Sequence, residues 1–389
     1  MSRSWIPRTE VLERLGVKAQ TLYAYVSRGR IAARADPDDP RRSLYAAEDV
    51  ERLLDRTPKA PKSGQTGGGS TAARGEAVVE SALTTVSDGK LYYRGQDAAT
   101  LAETATLEVA ARLLWEGEED PFAELKPRID VNFPGGPRAR AFAALSRRAE
   151  EDAATPGRSA RSLRREAASV LNELVDAISG GGPRLYLHQR LARVWKLSEK
   201  DSQTVRKALV LAMDSELNAP TLATRLAAST GAALSACCLA GLSALSGPAY
   251  AGQIAQVYGY VAESRRGSDA RSTARQRLAL GLEIPGFGHP LFPNGDPRAR
   301  ALIAGAGLPD DLLDIVRVGE GLTGQAPNFD MALALISRHL DLPRDGGLAI
   351  YVIGRTAGWL GHALEEVTQG SPIRARLRYV GVEPEFAQP

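Results

Sequence analysis

Ile284–Arg300 reads IPGFGHPLFPNGDPRAR, and the rest of the chain is best understood outward from it. Three glycines, four prolines, one histidine, one aspartate and two arginines share this run. Glycine and proline at such density exclude a regular helix or strand and set a tight, irregular loop. A loop of fixed shape holds His289, Asp296 and Arg298 at set positions. On these residues alone two readings stand open: a rigid connector with a histidine by chance, or a platform for polar chemistry.

The chain has 389 residues, 43% hydrophobic and 24% charged, which suits a globular protein of two or three domains. Its formal net charge of +3 gives no overall basic field, so a nucleic-acid contact would need a local patch. The cysteines, Cys237 and Cys238, are neighbours. In a helix their side chains diverge, and a disulfide between them would be strained. With no zinc-type Cys/His spacing they read as buried core thiols of a reducing compartment, and no metal is expected. The opening MSRSWIPRTE lacks the apolar core of a signal peptide. Leu226–Ala262 contains no charged residue, but its Ala, Ser, Gly and Pro248 interrupt any solid apolar span of about 20 residues. A buried helix in a cytoplasmic protein, with no membrane segment, is the expectation.

Residues 1–57 form a first unit. In TEVLERLGVKAQTLYAYVSRGRIAA, Val11, Leu12 and Leu15 share one helical face, Gly16 breaks the helix, and a second helix near Ala19–Ser27 ends at Gly29. ARADPDDPRRSLY then makes a wing-like excursion before a short third helix. This pattern resembles the winged helix–turn–helix module of MerR-type regulators, in which the second helix enters the major groove. The resemblance implies Lys18, Gln20, Thr21, Tyr23, Arg28, Arg30, Arg41 and Arg42 as DNA contacts, with Lys18, Arg28 and Arg30 foremost. Asp36, Asp38 and Asp39 in the wing leave open a helical interaction module that does not bind DNA.

Residues 58–77, PKAPKSGQTGGGSTAARGEA, have the composition of a flexible linker. Beyond them, alternation on either side of Asp88-Gly89 predicts a hairpin, and an amphipathic helix begins near Thr106 with Leu107, Ala110, Leu113 and Leu114. Helical spacing continues through Phe142–Ile178 and Leu185–Met213, separated by a Gly180–Pro183 break. His188 there is read as a polar residue on an amphipathic helix, without chemistry.

Several segments, in order, resemble the citrate synthase family over roughly residues 78–381. Leu91, Tyr93, Arg94 and Gly95 match its opening hairpin segment. DSELNAPTLATRLAAST from Asp214 matches at Glu216, Leu217, Asn218, Ala219 and Thr221, with Ser215 standing where the family has an oxaloacetate-binding histidine. In SGPAYAG, Tyr250 replaces the histidine that hydrogen-bonds the thioester carbonyl. PGFGH and DPR match at His289, the donor to the keto oxygen, and Arg298, a carboxylate ligand. Pro290, Leu291, Phe292 and Pro293 lie between them, where the family usually places basic residues that touch coenzyme A. NFD supplies Asp330 as the base. YVIGRTAGWLGHALEE supplies Arg355 as a carboxylate ligand, with His362 read as structural. SPIRARLRYVG supplies Arg374, which in the family reaches the partner subunit's site.

The resemblance implies an all-α, two-domain helical fold preceded by the winged helix–turn–helix unit. Its large domain would comprise residues 78–249 and 337–389, and its small domain residues 250–336. It implies a homodimer that condenses acetyl-CoA or propionyl-CoA with oxaloacetate by a Claisen-type reaction, with acyl-CoA as co-substrate and no permanently bound cofactor. The residue types suit that chemistry. Arginine forks bind carboxylates bidentately, a carboxylate in a closed cleft becomes a useful base, and hydrogen-bond donors stabilise the oxyanions. The second reading is a dicarboxylate-sensing, DNA-binding regulator built on a catalytically degenerate body of this kind.

Overall fold

In the computed structural model the described residues are 4–15, 22, 26, 31–36, 39, 43–50, 79–123, 125, 131–181, 185–266, 269–369, 372–374 and 381. The chain divides into two units, Met1–Thr66 and Gly67–Pro389.

In the first unit, strands β1 (Trp5–Pro7), β2 (Ala33–Ala35) and β3 (Ser43–Ala46) form an antiparallel sheet in the order β1-β3-β2. The wing-like excursion thus pairs β2 with β3, Ala33 opposite Tyr45. Helix α1 (Arg8–Leu15) and the sheet enclose a small core of Ile6, Val11, Leu22, Ile31, Tyr45 and Val50. Asp49 accepts the Ala32 amide at 3.0 Å and Arg34 stacks 4.4 Å over Trp5. Lys18, Gln20, Thr21, Tyr23, Arg28, Arg30, Arg41 and Arg42 lie outside the described residues, as does the 58–77 linker.

The second unit begins with the expected hairpin, β4 (Thr84–Ser87) and β5 (Lys90–Tyr93). Asp88 and Gly89 both take positive φ, 50° and 71°, the geometry a two-residue hairpin turn demands. Strand β6 (Gln96–Asp97) follows, and Asp97 caps α2 (Ala98–Thr104) while Thr106 caps α3 (Leu107–Leu114). The chain is helical from there: α4 (Pro137–Glu151), α5 (Ala160–Ser179), α6 (Leu187–Val194), α7 (Glu199–Leu211), α8 (Ala219–Ser229) and α9 (Leu234–Leu245). A π-helical turn over Pro248–Gly252 leads to α10 (Gln253–Arg266) and α11 (Ala270–Ala279). After the loop come α12 (Pro297–Gly305), α13 (Asp310–Thr323), α14 (Phe329–His339) and α15 (Gly346–Gln369).

The charge-free run is therefore not one buried helix. It supplies part of α8, then α9, the π turn and α10, because Gly247-Pro248 cannot continue α9's hydrogen-bond ladder. Among the described residues no single helix is long and apolar enough to cross a membrane. The bent pair Leu234–Leu245 and Pro248–Arg266 meets that test on length and composition, with a 57° bend. Cys237 and Cys238 are both buried and form no disulfide, and burial pushes both thiols up.

The 24-residue helix α15 is buried along nearly its whole length and supports the corner between α7 and α8. Gly358 makes this possible, because a Cβ there would collide with the Met213 carbonyl oxygen. From the other side, the buried Tyr93 hydroxyl donates to the Val210 carbonyl at 3.1 Å and accepts the Asp214 amide at 3.3 Å. The Met213–Asn218 corner is thus held between α15 and the hairpin.

Candidate active site

The opening loop is fastened to the segment before α14. Phe287 pairs with Pro327, the Gly288 amide donates to Ala326 at 2.8 Å, and the Asn328 amide donates to Gly286 at 2.9 Å. Gly286 and Gly288 have φ of 92° and 75°, a backbone that favours glycine. Asn328 caps α14 by accepting the Met331 amide and donates from its side chain to the Gly288 carbonyl. This pairing brings His289 and Asp330, 41 positions apart in sequence, to one cavity.

The cavity, about 390 Å3, is lined by Ser215, Tyr250, His289, Arg298, Asp330 and Tyr351 among others. Asp330 sits half-buried in the first turn of α14. Burial pushes its carboxyl up to about 6, Arg298 opposes the rise, and Asp296 adds to it. That value lets it accept a proton near neutral pH.

His289 is held by its own loop. Its Nδ1 accepts the Leu291 amide at 3.2 Å, whereas Nε2 stands 3.5 Å from Arg298 Nη2, at the limit of a hydrogen bond. The shorter contact places the proton of the neutral ring on Nε2. Burial lowers the ring to about 4, Arg298 pushes the same way, and Asp296 opposes. His289 is therefore a neutral N–H donor at physiological pH. Phe292, buried beneath it, has its ring 5.1 Å from the imidazole and 5.4 Å from the Arg298 guanidinium.

Arg298 is buried and doubly held by Asp296, Nε to Oδ1 at 3.0 Å and Nη2 to Oδ2 at 2.7 Å. Burial disfavours its charge, but Asp296 more than offsets this. Asp296 also accepts the Arg298 and Phe329 amides, tying α12 to α14. The Nη1 of Arg298 has no partner among the described residues, so a donor on a permanent cation remains for a ligand.

Ser215 and Tyr250, standing at the two histidine positions, both reach the cavity. Glu216 adopts a φ of 57° beside Ser215, a strained backbone whose side chain accepts the Val86 amide at 3.1 Å. The Tyr250 oxygen accepts the Ala219 amide at 3.3 Å, at the first turn of α8, leaving its O–H free to donate.

Arg355, matched as a carboxylate ligand, is engaged with residues of its own chain. It does not line the cavity. Its Nη1 donates to Asp214 at 2.7 Å and Met213 at 3.3 Å, and its Nη2 donates to Thr221 at 2.5 Å. The reason is charge pairing: Asp214 is fully buried, and an ionised carboxylate there needs a cation. Burial would raise Asp214, but His362 and Arg355 outweigh it and hold it well below the usual carboxylate range. His362 bridges Asp214 at 3.0 Å and Arg225 at 3.1 Å, the structural role read for it from sequence. Arg374 is exposed and does not line the cavity of its own chain. His188 is buried, and burial lowers it to about 4.

Tyr351, Asp296, Asn328 and Gln253 are the cavity and support residues that sequence reading left without a role. Asp296 had a signal, since an Asp-Pro-Arg run at a helix start is a cap and ion pair in one. Tyr351 had none; it is one more apolar-face residue of α15.

A helical body with an irregular loop delivering His289 and Arg298 opposite the carboxylate of α14 defines the class of the citrate synthase fold. Residues 137–376 match the citrate synthase C-terminal domain, and the chain belongs to the citrate synthase family. It is 30% identical over 189 residues to citrate synthase 2 of Bacillus subtilis, a match covering 46% of this chain and 51% of that protein. The chain thus spans about half the length of that relative. A 2-methylcitrate synthase of Shewanella oneidensis is 27% identical over 358 residues, 80% of this chain and 94% of that one. The citrate synthase structure from Thermotoga maritima superposes with a TM-score of 0.65 at 24% identity, covering 80% of this chain and 96% of that one. The Thermoplasma acidophilum citrate synthase, a ternary complex with carboxymethyl coenzyme A and oxaloacetate, gives the same TM-score at 20% identity and the same coverage. These comparisons lend no support to a DNA-binding regulator or to a MerR-type assignment of the first unit.

Proposed function

We propose that the chain joins the α-carbon of acetyl-CoA or propionyl-CoA to the keto carbon of oxaloacetate and hydrolyses the resulting thioester. The observation that carries this reading is Asp330, a carboxyl raised to about 6, on one cavity with the neutral donor His289 and the cation Arg298. Membership of the family supports the same reaction class.

Asp330 takes an α-proton, and the C–H electron pair becomes the enolate. The Tyr250 O–H donates to the thioester oxygen as charge develops there. The α-carbon attacks the keto carbon, and the displaced π pair becomes an alkoxide that the His289 N–H stabilises by hydrogen bonding and that takes its proton from water. Water then cleaves the thioester, releasing the coenzyme A thiol. Arg298 pairs one carboxylate through Nη1. In a homodimer, Arg374 of the second copy takes the other, while Arg355 holds the Met213–Asn218 corner through Asp214. Residues 250–336 act as a small domain whose closure carries His289 and Arg298 onto the rest and excludes water.

The test is thiol release from acetyl-CoA or propionyl-CoA in the presence of oxaloacetate. Release is expected from the native chain and not from Asp330→Ala. A native chain silent with both thioesters contradicts the proposal.

A further inference from the structure

Tyr250 is not the only phenol on the cavity. Tyr351 lies on α15 one turn before Arg355, and it is buried at the cavity wall. Its ring packs 6.5 Å from Phe329, the residue next to Asp330. Two other buried phenols are spoken for: Tyr93 donates to Val210, and Tyr258 shares a 3.1 Å bond with Ser337. The Tyr351 hydroxyl has no hydrogen-bond partner among the described residues. Its oxygen is not sealed in the core but opens on the cavity, where a ligand atom can replace water as its partner. An unpaired hydroxyl on a ligand-sized cavity therefore points to a ligand atom.

We propose that Tyr351 donates a second hydrogen bond to the thioester oxygen, so that helix α15 and the π turn together form a two-phenol oxyanion hole, Tyr351 with Tyr250. The inference rests on the condensation reading above.

Three observations support the pairing. The enolate oxygen is two bonds from the carbon that loses its proton, so its donors must stand beside the base, and Tyr351 lies within electrostatic reach of Asp330. Tyr250 lines the same cavity and lies within electrostatic reach of Tyr351. Burial raises the Tyr351 hydroxyl above its ordinary value, with Arg355 opposing, so it stays a proton donor throughout the working pH range. No proton leaves either phenol: each only donates while Asp330 removes the α-proton.

The experiment compares the native chain with Tyr351→Phe, Tyr250→Phe and Asp330→Ala. It measures thiol release and the exchange of acyl-CoA α-hydrogens in deuterated water with a non-condensing keto-acid analogue bound. Tyr351→Phe keeps the ring against Phe329, so a melting temperature no lower than the native one is expected. Its kcat and its exchange rate should fall together, roughly 10- to 1000-fold, with little change in the KM for oxaloacetate. A native chain that turns over beside a Tyr351→Phe variant of equal kcat and exchange rate overturns this inference and leaves the condensation standing. A loss confined to the KM for oxaloacetate also overturns it, because the hydroxyl would then serve the keto acid. A native chain silent in both assays overturns the condensation and this inference with it.

Discussion

Asp330 shows how a single residue's setting decides its chemistry. The same carboxyl in water would be a weak base, but burial raises it to about 6. As the base it must be ionised, so kcat/KM should climb as pH rises through about 6 and level off above it; a flat profile from about pH 5 to 8 contradicts the assignment. The linkage has the opposite sign for stability. A raised carboxyl stabilises the fold while protonated, and that contribution is lost as pH rises through about 6. Asp330→Asn should therefore be about 1–3 kcal/mol more stable than the native chain near pH 8 while losing its activity, as read by denaturant titration. Phe292 carries a different lesson. In sequence it stood where contacts to coenzyme A were expected, whereas in the fold its ring supports both His289 and Arg298. Phe292→Ala should cost about 3–5 kcal/mol of stability, measured the same way. The match to a family pattern located His289 and Asp330, but it could not reveal what a departure from the pattern does.

Between elements, the Met213–Asn218 corner is the point of greatest constraint. It carries Ser215 to the cavity while α15 presses on it through Gly358. Gly358→Ala would force a methyl against the Met213 carbonyl and should destabilise by about 1–3 kcal/mol or more, visible as a lowered melting temperature. Asp214 holds the corner electrostatically, and its depressed carboxyl contributes stability above the ordinary carboxylate range. That contribution is lost as pH falls below that range through the folded value, so Asp214→Asn should flatten the acid limb of the stability profile. The hairpin turn, the Thr106 cap and the helical periods were legible because each is local. The Arg355–Asp214 pair was not, since it joins residues 141 apart and leaves no periodic trace. The break at Pro248 was visible in sequence, yet the apolar composition around it favoured one continuous helix.

At the scale of the molecule, the body belongs to the citrate synthase family, and the ordered segments rather than any single motif made this legible. The cavity of one chain brings together His289, Arg298 and Asp330, and among the described residues Arg298 is the arginine that lines it. In the proposed reading, a dimeric site completed by Arg374 of the second copy would hold the second carboxylate. Mixing Arg374→Ala and Asp330→Ala chains should then restore activity that neither has alone, because one site of each mixed dimer is whole. The most direct measurement follows the carbon. Incubated with oxaloacetate and acetyl-CoA labelled with carbon-13 in both acetyl positions, the chain should yield a tricarboxylic acid carrying both labels in one new carbon–carbon-bonded product, detected by mass spectrometry. Labelled acetate with unconsumed oxaloacetate would mean simple thioester hydrolysis and would contradict the account.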